Sequence, residues 1–196
     1  GSGERVDVTL RLDVQIRENV QTENVLARLP GASDEEIVVA MHTDGYFQAA
    51  MDNASGMASG LEIARHYAAL PQAERPRSLL FVLFPDHHHG EVGLSPWEEA
   101  YDWDNVALAL TLEHPSQTLL YWYNEDMMTS NAIGAFRWNA MGSPAFLDTV
   151  TSTLRDFGVS LYTVMDGGPK LTSQAPGFHI IDHVIYHTTL DVPELV

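Results

Sequence analysis

The chain has 196 residues, a formal net charge of −17, hydrophobic residues at 45% and no cysteine. That length suits one domain with a real core, the composition is that of a globular chain and not a disordered acidic tail, and the missing thiols exclude a disulfide scaffold, a cysteine zinc site and a thiol nucleophile. That acidity argues against a nucleic-acid partner; Lys170, the only lysine, lacks the glycine before it that a phosphate-binding loop requires; and no apolar run reaches the roughly 20 residues of a membrane span.

Val6, Val8, Leu10, Leu12, Val14 and Ile16 alternate with polar residues, the period of a half-buried strand that opens the chain. Val25–Leu29 reads as a short strand closed by Pro30-Gly31, and Ile37–Met41 as a buried one. Residues 53–70 form a predicted helix with Met57, Leu61, Ala64, Tyr67 and Ala68 on one face, and Gly56 and Gly60 let it lie close to a sheet. Leu79–Phe84 and Val106–Leu112 are further buried strands, and Tyr121, Trp122 and Tyr123 read as an aromatic strand packed into the core. Residues 144–157 give an amphipathic helix, with Ser143 as its N-cap, Pro144 in its first turn and Phe146, Val150, Leu154 and Phe157 on one face. Ile180–Tyr186 is the last strand, and Asp191 reads as the N-cap of a helix that begins as the sequence stops. Buried strands interleaved with helices indicate an α/β fold, a mostly parallel mixed sheet with helices on both faces.

The residues just past each strand carry the chemistry. Ile37–Met41 runs into His42-Thr43-Asp44, Leu79–Phe84 into Pro85-Asp86-His87-His88-His89, Val106–Leu112 into Glu113-His114, and Ile180–Tyr186 into His187. The carboxyl edge of an open α/β sheet is where ligands bind, and imidazole and carboxylate are metal ligands. Asp52, opening the first helix, is placed to bridge two ions. His66, His114, His179 and His183 receive no role, and the lack of a Gly-x-Ser-x-Gly elbow argues against a serine hydrolase.

These segments, in this order, resemble the catalytic domain of the dizinc exopeptidases that include bacterial leucine aminopeptidases, aminopeptidase Y and glutamate carboxypeptidase. The match runs through Asn24–Ala27 with Leu29-Pro30-Gly31, His42-Thr43-Asp44, Asp52-Asn53-Ala54-Ser55-Gly56, Arg77–Val82, and Tyr186-His187-Thr188 with Asp191. The resemblance implies a three-layer fold and a metal-dependent aminopeptidase-like exopeptidase that cleaves a peptide bond through a hydroxide bridging two zinc ions. One zinc would be held by His42, Asp52 and Glu113, the other by Asp52, His88 and His187, with Asp44 fixing the ring of His42. It also implies a peptide or aminoacyl substrate, an exported protein, and a chain whose residues 1–23 lead in from a protease-associated-like domain, with residues 24–196 forming a catalytic domain cut short at its C-terminus.

The sequence departs from that family where it places a Glu-Glu pair. Ungapped from Arg77, the pair falls on His87-His88, which makes His88 a zinc ligand and His87 the base; with three residues inserted, Glu91 takes the place of the second glutamate. The alternative function is a catalytically weak or inactive relative kept as a metal-binding or interaction domain. A third reading, cyclisation at a single zinc, is selected by no residue.

Overall fold

Runs of apolar residues without alternation become strands covered on both faces. The computed structural model of the protein describes residues 7–116, 118–134, 136–159, 162–164, 175–181 and 185–196. In chain order it contains β1 (Val25–Leu29), β2 (Glu36–His42), α1 (Gly56–Ala68), β3 (Ser78–Phe84), α2 (Leu94–Ala100), β4 (Val106–Leu112), β5 (Thr118–Tyr123), β6 (Asp126–Ile133), β7 (Phe136–Met141), α3 (Pro144–Asp156), β8 (Tyr162–Val164) and β9 (Gly177–Ile181). Seven strands form one sheet in the order β1-β3-β2-β4-β9-β7-β8, and β5 and β6 form a separate antiparallel pair. Strands β3, β2, β4 and β9 run parallel; β1 and β7 run antiparallel to β3 and β9.

Strand pleating sorts the core into two faces. Val38, Ala40, Leu80, Val82 and Phe84 pack with Leu94 and Trp103 and the rings of Trp97 and Tyr101 around α2. Val39, Met41, Leu79, Phe81 and Leu112 pack under Met57, Ile63, Ala64 and Tyr67 of α1. A Cβ on Gly60 would lie 2.5 Å from the Met41 side chain, and one on Gly56 would overlap Leu112 O, so both glycines bring α1 onto the sheet as the sequence predicts. The register pairs His42 with Phe84, so the residues after β2, β3 and β4 emerge together at one carboxyl edge.

Several elements differ from the sequence reading. Residues 7–24 contain no strand, and Val8, Leu10, Leu12, Val14 and Ile16 are exposed, because among the described residues no neighbouring strand supplies the hydrogen bonds that an alternating segment needs. Helix α1 starts at Gly56, after an irregular turn over Ala50–Ser55, and Leu61 faces solvent while Ile63 joins the core. Strand β5 forms, but Tyr121 and Tyr123 are exposed, not core, since β5 and β6 stand outside the main sheet. Ser143 does cap α3, accepting from Phe146 N at 3.2 Å, whereas Phe157 lies beyond the helix and is exposed. The last strand is displaced to Gly177–Ile181, where pairing with Ala109–Leu112 puts His179 inside the sheet.

Candidate metal centre

The centre is built around the turn that precedes α1. Asn53 ties this turn to two strand ends: its side-chain amide donates to Leu112 O at 2.9 Å and His42 O at 3.3 Å, and its Oδ1 accepts from Gly56 N and His114 N, both at 3.2 Å. Asp191 is not an N-cap. Its buried carboxylate crosses the fold to accept from Met51 N at 2.5 Å and Asp52 N at 3.1 Å. The Asp52–Asn53 peptide is cis. These bonds leave the Asp52 side chain pointing away from its own backbone anchors, toward the histidines.

Four histidines meet that carboxylate. Oδ1 lies 2.7 Å from His114 Nε2 and 3.2 Å from His42 Nε2; Oδ2 lies 3.2 Å from His187 Nε2 and 3.4 Å from His88 Nε2. His88 Nε2 and His187 Nε2 are 2.8 Å apart. Burial alone would raise the Asp52 carboxyl, but the His114 hydrogen bond and the charge of the nearby His114 and His42 rings outweigh it and hold the group well below the usual carboxylate range. Burial opposes charging of His42, yet Asp52 and Glu113 raise it above an ordinary histidine; at His187 burial wins and the shift is downward. Burial, together with the charges of Asp52 and Glu113, pushes Tyr186 up to about 12, so its phenol stays protonated.

Each imidazole that offers Nε2 to the centre is held by a bond at Nδ1 or by its neighbours. His42 Nδ1 donates to Asp44 O at 2.9 Å, and Asp44 Oδ1 stands 3.4 Å away. His88 Nδ1 lies 3.0 Å from Asp44 Oδ2, while Asp44 also accepts from His87 N at 3.1 Å and His88 N at 2.9 Å. Those bonds outweigh burial and hold the Asp44 carboxyl below its usual range. Tyr46 covers the rings of His88 and His187 at centroid distances of 4.8 and 4.6 Å. Outward Nδ1 bonds that orient inward Nε2 atoms are how metal-ligating histidines are commonly supported.

Glu113 stands slightly apart. Its Oε2 accepts from His179 Nε2 at 2.9 Å, and its Oε1 lies 3.5 Å from His87 Nε2. Among the described residues, donors that lie within 4.8 Å of one another form the sets His42-His87-Glu113, His42-Asp52-His114, His42-Asp44-His88 and Asp52-His88-His187. The structure thus brings Asp52, His88 and His187 together, and connects Glu113 to His42 through His87 instead of through Asp52. His89 is exposed, His66 faces solvent, and His183 lies outside the described residues. Two site residues that carry no role in the sequence reading are His114 and His179. His114 comes directly after Glu113 and turns inward with a left-handed φ of 48°, and His179 comes to the site through its register opposite Thr111. The first is signalled by its place at a strand end; the second needs the strand pairing.

The donor set fits zinc. His42 Nε2 and Asp52 Oδ2 are buried and make no hydrogen bond, and imidazole nitrogens with carboxylate oxygens are ordinary zinc ligands. Two imidazole nitrogens 2.8 Å apart beside a carboxylate likewise suit a shared cation.

Solved structures of other proteins share this fold. A zinc aminopeptidase from Bacillus subtilis superposes with a TM-score of 0.66 at 16% identity, covering 88% of this chain and 45% of that one. A glutaminyl cyclase from an Acidobacteriales bacterium gives 0.60 at 15%, covering 88% and 66%. A peptidase M28 precursor from Shewanella amazonensis gives 0.60 at 18%, covering 86% and 38%. The chain therefore spans less than two thirds of each of these relatives, and at such identities the likeness is one of fold. No curated protein sequence matches the chain. The family model for peptidase family M28 matches residues 24–163, more than half of the sequence and the stretch that holds Asp52 and Glu113, and the chain belongs to that family.

Proposed function

We propose that the chain is the catalytic part of a zinc-dependent exopeptidase of aminopeptidase type. The observation that supports this most is the Asp52 carboxylate, whose two oxygens each face a separate pair of imidazole nitrogens. In this reading His42, Asp52 and Glu113 hold one ion, and Asp52, His88 and His187 the other. Bound zinc would polarise the scissile carbonyl and acidify a water. In the ungapped register His87 takes the place of the family's glutamate base, and its Nε2 lies toward Glu113. It accepts the proton of the attacking water and passes it to the departing amine as the new C–O bond forms and the C–N bond breaks. Asp44 keeps the His42 and His88 rings turned inward.

A second reading is a metal-binding relative with little or no turnover. It is favoured by the imidazole at position 87, which lacks the negative charge of the carboxylate it replaces. Zinc content and hydrolysis of leucine p-nitroanilide separate the two. The peptidase reading expects at least one zinc per chain, chelator-sensitive hydrolysis, and a His87→Ala variant that keeps its zinc and loses roughly 100-fold or more in kcat. Zinc without hydrolysis favours the second reading; fewer than one zinc per chain rejects both.

A further inference from the structure

An imidazole at position 87 supplies a lone pair but no negative charge. The loop after it brings a charge alongside. Asp86 is buried and closes this loop: its main-chain oxygen accepts from His89 N at 3.0 Å and Glu91 N at 2.9 Å, and its carboxylate accepts from Gly93 N. Between these anchors Gly90 and Glu91 both adopt left-handed backbone, with φ of 88° and 55°. Glycine takes such angles freely, but a glutamate seldom does. The two left-handed residues fold the chain back, so that Glu91 Oε1 lies 3.1 Å from His87 Nδ1.

That contact fixes the chemistry of the ring. A carboxylate offers only lone pairs, so the bond to Glu91 puts a hydrogen on His87 Nδ1, and in the neutral ring the lone pair is then on Nε2. Nε2 lies 3.5 Å from Glu113 Oε1, which places a lone pair opposite a carboxylate oxygen, with room for a cation or a water hydrogen between them. The ring also stacks on His42 at a centroid distance of 4.5 Å and 27° between planes, and the His87 main chain donates to Asp44 Oδ1. His87 is thus held at its backbone, its face and its outer nitrogen.

We infer that Glu91 is a positioning residue for His87: it locks the ring with Nε2 toward the centre, and the His87–Glu91 pair restores the lone pair and single negative charge of one glutamate. The catalytic consequence of this role rests on the peptidase reading; the structural one does not. Glu91 thereby takes a place beside the site without being a ligand.

The test uses the zinc-loaded full chain, with leucine p-nitroanilide as substrate and ¹⁵N-histidine labelling to read the His87 tautomer. The His87 signals are assigned by their loss in His87→Ala. In the wild type the tautomer is expected to be Nδ1–H, and an Nε2–H tautomer overturns the proposal whether or not the protein turns over substrate. Glu91→Ala is expected to lower kcat roughly 10–100-fold, with KM and zinc content held within about twofold. Glu91→Gln, which still offers an oxygen to Nδ1, should recover part of that loss. A Glu91→Ala variant with kcat within about threefold of wild type, or one that loses zinc in step with kcat, contradicts the positioning role. A wild type that has the Nδ1–H tautomer but hydrolyses nothing leaves this role standing and rejects the peptidase reading instead.

Discussion

Asp191 lies 139 residues along the chain from Asp52 and still sets its position, through two bonds to consecutive main-chain N–H groups. Removing that carboxylate leaves two buried donors without an acceptor. Asp191→Ala is therefore expected to cost about 1–3 kcal/mol in urea unfolding and roughly 10–100-fold in zinc affinity by competition with a chelating dye. Acid acts on the same residues. Asp52 and Asp44 have their folded values depressed, so in chelator-treated protein the unfolded chain binds more protons just below the ordinary aspartate value of about 3.9. Their contribution is present above that pH and is lost as pH falls through the depressed values. Urea midpoints of the metal-free protein should drop steeply below about pH 4, and Asp44→Asn should flatten that slope. At this scale the sequence is most informative where a metal-capable side chain sits beside a strong local pattern, as at His42, Asp52 and His88. It is least informative where direction depends on backbone angle: His114, given no role in the sequence reading, turns inward at a left-handed φ of 48°, which residue type does not announce.

At the scale of elements, the approach of α1 to the sheet ties fold to site. A Cβ on Gly56 would overlap both Leu112 O and Asn53 Oδ1, and the first of these is backbone that cannot swing aside. Gly56→Ala gains helix propensity of about 1 kcal/mol but must push α1 off β4. The expected net outcome is a loss of about 1–3 kcal/mol in thermal or urea unfolding, together with weaker zinc binding, since Asn53 links that contact to the Asp52 turn. The strands β2, β3 and β4 are legible because uninterrupted apolar runs of their length have few other solutions in an α/β chain. Apolar runs place the last strand several residues too late, because Gly177 and His179 look unlike a buried strand and only the partner Ala109–Leu112 makes them one. The Val6–Ile16 pattern shows the converse: alternation describes a preference for pairing, and the preference is not met among the described residues.

For the whole molecule, the net charge of −17 acts against compaction, because like charges repel more in the folded state than in the expanded one. Two bound divalent ions would relieve part of it at the centre, and salt would screen the rest. Raising ionic strength from about 0.01 M to about 0.5 M, where the screening length falls from about 30 Å to below about 10 Å, should raise the melting temperature by roughly 2–4 °C or more. A melting temperature that falls with salt would show that local ion pairs such as Arg28–Glu36 dominate instead. In the proposed centre the two oxygens of Asp52 serve two donor sets, and anomalous diffraction at the zinc edge from zinc-loaded crystals reads this without intermediaries. Density is expected on both sides of the Asp52 carboxylate, one peak beside His42 and one between His88 and His187. A crystal with no peak in contact with Asp52 would contradict the proposed centre.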